Sequence, residues 1–160
     1  MIYKSYLVEK NIEQIKEKFV LFYGENLGMQ NDFQENIKKS NSKVEIIKFD
    51  NDDIIKDTDY FFNEILNFSL FEKKKIFFIY NVNDKILSIL EEIGQKIDQQ
   101  KIYLFSNLLD KKSKLRNYFE RSNKHAIIPC YSDNEISFKN IILNKLKNFK
   151  NFHLNNSCEA

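Results

Sequence analysis

Five consecutive residues, Ile76 to Tyr80 (IFFIY), are each β-branched or aromatic. An uninterrupted apolar run of this kind is the pattern of a strand buried on both faces. Phe19–Tyr23 (FVLFY) repeats it, and Lys101–Phe105 (KIYLF) and His125–Pro129 (HAIIP) are shorter variants. Lys43–Phe49 (KVEIIKF) alternates more and runs into Asp50-Asn51-Asp52-Asp53, as an edge strand followed by a solvated loop would. Helical patterns fill the gaps. A short helix is expected over Asn11–Lys18, and Met29, Phe33 and Ile37 share one face of the next. Asp57-Thr58-Asp59 can cap a helix leading through Tyr60, and Asn81–Asp84 reads as a loop and cap before the stripe Ile86, Ile89, Leu90, Ile93 and Ile97. A basic helix is expected over Lys111–Arg121 with Leu115, Tyr118 and Phe119 inward. Ser132-Asp133-Asn134-Glu135 fits a capping box before Phe138, Ile141, Ile142, Leu146 and Phe149. Strands alternating with helices predict an α/β fold: three layers, a five-stranded parallel sheet flanked by helices, with right-handed crossovers.

At 160 residues, with 42% hydrophobic and 30% charged side chains, the chain is long enough for one domain with its own core. Residues 1–150 read as that domain, and 151–160 as the start of a following helical domain cut short. A net charge of +2 supplies no strong electrostatic argument for nucleic acid. Cys130 and Cys158 match no metal spacing, and His125 and His153 have no partner cluster, which fits a reduced, cytoplasmic setting. The opening MIYKSYLVEK is too polar for a signal sequence, and no apolar run approaches about 18 residues, so neither export nor a membrane span is expected.

A first strand, a glycine-containing loop and a helix is where α/β proteins bind phosphate. A P-loop needs GxxxxGK[ST], which supplies backbone N–H groups, a lysine charge and a hydroxyl for Mg²⁺. Here Gly24-Glu25-Asn26-Leu27-Gly28 is too short. Met29-Gln30 stand where Lys and Ser/Thr belong, and Glu25 sets a carboxylate beside the phosphates. The acid that would organise Mg²⁺ at the end of the third strand is replaced by Tyr80-Asn81, and Asp84 comes too late. Gly24, Glu25 and Gly28 therefore read as a degenerate P-loop, not expected to bind ATP. GxGxxG is absent too, and no cofactor is expected.

Other constellations are weak. Asp50, Asp52 and Asp53 could resemble a metal cluster but fit a solvated loop better, and no metal is expected. Lys111, Lys112, Lys114 and Arg116 are either a solvated face or a phosphate contact, to DNA for example. His125 reads as structural, and Cys130 as a small buried hydrophobe. Ser106 and Ser113 have no visible His/Asp partners. No catalytic residue emerges. The oddest feature is the turn Phe68-Ser69-Leu70-Phe71 before Lys73-Lys74-Lys75, since a chain reversal is ordinarily polar. Leu70 and Phe71 either tuck back into the core or wait for a partner.

Three segments in order, FVLFYGEN (Phe19–Asn26), NFSLFEKKKIFFIYN (Asn67–Asn81) and LFSNLLDKKSKLRNYF (Leu104–Phe119), make the chain resemble the N-terminal region of the bacterial DNA polymerase III delta subunit, the clamp-loader "wrench". The resemblance implies an AAA+-like, RecA-like core that does not bind ATP. It implies that Leu70 and Phe71, with Ser69 and Phe68 beside them, plug a pocket of the ring-shaped sliding clamp (the beta subunit), and that the helix from about Tyr60 to Phe68 presses on the ring and springs it open. It implies further partners in the gamma/tau and delta-prime subunits, and DNA in the full complex. ATP would be hydrolysed by other subunits, making this chain a non-catalytic component of a DNA-directed DNA polymerase, a nucleotidyltransferase holoenzyme. The family's chain is longer, with further helical domains. Two other classes remain open: a variant P-loop or Rossmann-like nucleotide-binding enzyme, and a plain DNA-binding domain.

Overall fold

The computed structural model describes residues 1–8, 11–66, 75–97 and 100–131. Five strands form one sheet in which every pairing is parallel: β1 (Phe19–Tyr23), β2 (Glu45–Asp50), β3 (Lys75–Tyr80), β4 (Lys101–Ser106) and β5 (Ala126–Pro129), in the spatial order β2-β3-β4-β1-β5. β1 lies between β4 and β5, with Phe19 opposite Ile102, Tyr23 opposite Ser106, and Val20 opposite Ala126. The α-helices are α1 (Ser5–Val8), α2 (Leu27–Ser40), α3 (Asn51–Lys56), α4 (Thr58–Leu66), α5 (Leu87–Lys96) and α6 (Lys114–Arg121).

Successive side chains of a strand point to opposite faces, so each buried strand feeds two cores. Phe19, Leu21 and Tyr23 of β1 join Phe77, Ile79, Ile102, Leu104 and Ile127 on one face. Ile54 of α3, Phe61 and Ile65 of α4, Leu90 and Ile93 of α5, and Leu115 and Phe119 of α6 cover that face. Val20 and Phe22 point the other way, among Phe78, Tyr103, Phe105 and Ile128, where Phe33 and Ile37 of α2 and the amino-terminal Val8, Ile12 and Ile15 pack. The second face is strongly aromatic. Phe22 lies 4.9 Å from Phe33 and 5.2 Å from Phe105 between ring centres, and Phe105 is 5.4 Å from Tyr80. Fully burying one such ring contributes about 1.5–3 kcal/mol. The expected three-layer α/β architecture is therefore the observed one.

Several boundaries differ from expectation. Asn11–Lys18 is not an α-helix: a single 3₁₀ turn covers Ile12–Gln14, and Ile15 is extended. Ile12 and Ile15 must both reach the core, and the Lys18 carbonyl already accepts the Ile102 N–H, so the chain is drawn straight before β1 begins. The acidic run after β2 is not a loop. Asp50 ends the strand and caps α3, its Oδ1 accepting the Asp52 N–H at 3.0 Å, and Asp52 and Asp53 fill the first turn, where carboxylates favour the helix dipole. The basic helix starts at Lys114, three residues later than expected. Phe68–Phe71, the Ser132–Glu135 cap, the helix through Phe149 and residues 151–160 lie outside the described residues.

The two edges of the sheet differ. Met1–Tyr3 lies along β5, with Tyr3 N–H donating to the Ile127 carbonyl at 2.9 Å and Ile127 N–H to Met1 at 3.0 Å. β2, as expected, is an edge strand. At the start of β5, His125 sits among Phe19, Tyr118 and Phe119, with ring centres 5.1, 5.2 and 5.5 Å away, and its Nε2 is 3.1 Å from the Tyr118 hydroxyl. Burial, followed by the nearby N-terminal ammonium, holds its pKa below the ordinary value of 6.5. The folded state then binds fewer protons than the unfolded state, so stability is complete above pH 6.5 and declines as pH falls from there through the depressed native value. Urea unfolding at stepped pH should show that decline in the native sequence, and His125→Gln should flatten it.

Candidate functional site

The chain leaves β1 toward α2 on one face and leaves β4 toward α6 on the other, although the two strands are neighbours. Loops that diverge in this way open a crevice at the carboxyl ends of the strands, where open α/β sheets take their ligands. Gly24–Gly28 follows β1 at this point, and Asn107–Asp110 follows β4.

Gly24 has φ +138°, and a Cβ built there would lie 2.0 Å from the carbonyl oxygen of Cys130. No side chain fits. The chain after β5 passes against β1 here: Cys130 N–H donates to the Tyr23 carbonyl at 2.7 Å, and Asn26 N–H to the Cys130 carbonyl at 3.0 Å. Gly24 N–H donates to Asn107 at 3.3 Å and Leu27 N–H to Glu25 at 3.0 Å. Asn26 caps α2, its Oδ1 accepting Met29 N–H at 3.0 Å, while its carbonyl accepts Gln30 N–H at 3.2 Å. Five N–H groups of this segment thus have protein acceptors. Gly28, exposed in the first turn of α2, is under no such constraint; its Cβ would meet only the Asn26 Oδ1, at 3.4 Å. Glu25 is also exposed.

The crevice is spanned by Gln30. Its side chain is 4% exposed, and Nε2 donates to the Gly24 carbonyl at 3.0 Å and to the Ser106 carbonyl at 2.9 Å, bridging the ends of β1 and β4. The lacing continues across the sheet. Ser106 Oγ donates to the Val82 carbonyl at 2.7 Å, Asn83 N–H to Asn51 Oδ1 at 3.4 Å, and Asn81 Nδ2 to Asp50 Oδ2 at 2.6 Å. Asn81 holds φ +56°, a left-handed conformation that asparagine tolerates.

Asp84 is used elsewhere. It accepts the Ser113 hydroxyl at 2.6 Å and the N–H groups of Lys114 and Leu115 at 3.0 Å each, fastening α6. Partial burial alone would raise its pKa, but these bonds outweigh it and hold the carboxyl below its ordinary value. Of the basic residues, Lys111, Lys112 and Lys114 are exposed, the first two in a turn. Arg116 is engaged: its Nε donates to Glu120 at 2.8 Å, Nη1 donates to the Leu109 carbonyl at 3.1 Å, and its guanidinium lies 5.1 Å from the Tyr23 ring centre. Tyr23 and Tyr131 share a hydroxyl bond of 2.8 Å, and burial followed by this bond raises the Tyr23 pKa. The Cys130 thiol is buried and pushed up to about 12. Among the described residues no three His, Cys, Asp or Glu side chains are placed to hold a metal ion, and no helix is long and apolar enough to cross a membrane. Asp53 is paired with Lys56 at 3.6 Å.

Gln30 and the Asp84–Ser113 pair are the structural residues that sequence reasoning passed over. Gln30 was visible only as a mismatch to the phosphate motif, and Asp84 only as an acid in the wrong place. The spacing Ser113-x-x-Arg116 was the available cue to the cap, since Ser113 Oγ accepts Arg116 N–H at 3.1 Å.

No protein-family model matches the sequence, and no curated protein matches it. Among solved structures the chain is similar to a Bacillus subtilis DNA clamp loader delta protein (YqeN), with a TM-score of 0.63 and 13% identity over 90% of this chain. The match takes in 46% of that protein, so the chain spans less than half its length. The fold is thus clamp-loader-like.

Gly24→Ala should cost more than about 3 kcal/mol in urea unfolding, since a strained φ adds to a backbone collision. Gly28→Ala should be neutral or stabilising by up to about 1 kcal/mol. Gln30→Ala strands two buried carbonyls and should cost about 1–3 kcal/mol in the same measurement.

Proposed function

We propose that this chain is a non-catalytic module of a bacterial clamp loader, which binds the sliding clamp through Leu70 and Phe71. The observation that carries the non-catalytic part is the Gln30 amide lying across the crevice, with five nearby N–H groups spent on protein acceptors. A phosphate arriving there would have to displace bonds worth about 1 kcal/mol each and leave buried carbonyls unpaired. The clamp-loader part is supported by the likeness of fold to the delta protein and by the Tyr-Gly-Glu, Ser-Leu-Phe and Leu-Asp-Lys-Lys-Ser-Lys-Leu segments in order. The strand that follows the Ser-Leu-Phe segment, β3, is locked between β2 and β4, and α4 before it is anchored by Phe61 and Ile65.

In this reading the clamp, other loader subunits and DNA are partners of the whole assembly, in a cytoplasmic setting. Lys111, Lys112 and Lys114 are the exposed cations available to a phosphate backbone, whereas Arg116 is occupied by Glu120. Calorimetry with ATP and Mg²⁺ should give no saturable heat; micromolar binding would favour a nucleotide-using enzyme instead.

The plug is tested by binding to the cognate sliding clamp. Truncating either Leu70 or Phe71 to alanine should cost about 2–4 kcal/mol, roughly 30- to 1000-fold in affinity, and the double variant should lose binding while its unfolding midpoint holds. A large drop in that midpoint would mean that the two side chains belong to the core. Affinity that collapses with added salt would point to nucleic-acid-like recognition rather than an apolar plug.

A further inference from the structure

β2 is bonded to β3 on one side, and its outer side is where a second feature lies. A cavity of about 270 Å³ runs along Ile47–Asp50, between the strand and the α3–α4 elbow. Phe49, Ile54 and Tyr60 give it apolar walls, and Asp50, Asp53 and Asp57 rim it, against one lysine, Lys48. The volume is below that of ordinary small-molecule sites and suits one or two side chains. Tyr60 is 56% exposed, and Ile55, on the neighbouring turn of α3, is 37% exposed. The opposite edge of the sheet is already covered by Met1–Tyr3, whereas among the described residues no backbone hydrogen bond joins the outer side of β2 to another segment.

From this we infer that β2 is a docking edge for an extended segment of another protein, one that carries a lysine or arginine between apolar residues. The backbone of such a segment adds to the sheet as a sixth strand, the bonding mode in which main-chain pairs give affinity and alternate side-chain pockets give specificity. Its cation enters the acidic rim near Asp53 and Asp57, and its apolar neighbours lie on Phe49 and Tyr60. Asp50, Asp53 and Asp57 stand against Lys48 on the rim and Lys56 beside Asp53, a net acidic balance that favours a basic occupant and disfavours an acidic one. Lys48 and Glu45 stand along the strand as charges that discourage indiscriminate edge pairing. The carboxylates keep capacity for this role: among the described residues Asp53 pairs with the exposed Lys56, and Asp57 uses one oxygen to cap Tyr60 N–H at 3.0 Å. This surface is formed by β2, α3 and the start of α4 and includes neither Leu70 nor Phe71, so a variant at those two residues separates the inference from the plug.

A phage-displayed library of random heptapeptides, panned against the folded 160-residue chain, tests it. The expected result is enrichment of peptides alternating apolar and basic residues, with NMR shifts at Glu45–Asp50 and slowed amide exchange along β2. Asp53→Lys, a change at an exposed position, should weaken the selected peptides roughly tenfold. Leu70→Ala with Phe71→Ala should leave their affinity unchanged. No enrichment, enrichment of acidic peptides, shifts mapping elsewhere, or equal binding to Asp53→Lys would each overturn the proposal.

Discussion

The carboxyl edge of the sheet is set by how closely Cys130 passes Gly24. A glycine is obligatory there because the neighbouring backbone occupies the space a Cβ would take. That contact lets the chain leaving β1 and the chain leaving β5 exchange hydrogen bonds beyond the end of the regular ladder, through Cys130 N–H to Tyr23 and Asn26 N–H to Cys130. The start of α2 is thereby fixed, and its first turn brings Gln30 over the ends of β1 and β4. The glycine that looks like the remnant of a phosphate motif thus has a structural reason of its own.

The interior follows from strand alternation. Because β1 sits between β4 and β5 and is buried throughout, each of its five residues belongs to one of two cores, and neither core closes without it. One face carries four of the helices and is largely aliphatic toward α5. The other leans on the aromatic row Phe33, Phe22, Phe105 and Tyr80, whose ring contacts cross three strands.

Much of this was legible in the chain. Strands buried on both faces are written as unbroken apolar runs, so FVLFY and KIYLF located β1 and β4 to within a residue, and the alternation of KVEIIKF marked β2 as an edge. Acids after a strand, by contrast, read equally well as loop or helix start, and only the Asp50 cap decides between them. The late start of α6 depends on Asp84, whose carboxylate meets Ser113 from 29 positions away, a pairing that no local spacing announces. Gln30 was hidden for a different reason. A glutamine in the first turn of a helix ordinarily faces water, and its burial here follows from the Gly24–Cys130 contact, which only the folded chain reveals. The residues at Phe68–Phe71 were singled out by composition, large apolar groups where a turn should be polar, and by the resemblance of the segment around them.

The Gln30 bridge has a consequence for how such a fold can change over time. A chain that acquired Lys and Ser/Thr at positions 29 and 30 would lose the amide that satisfies Gly24 and Ser106, and would meet a loop whose N–H groups already have protein acceptors. The step at position 30 therefore lowers stability before any ligand can compensate. The bridge works as a ratchet: the glutamine form is a local optimum, held by the same hydrogen bonds that close the top of the sheet.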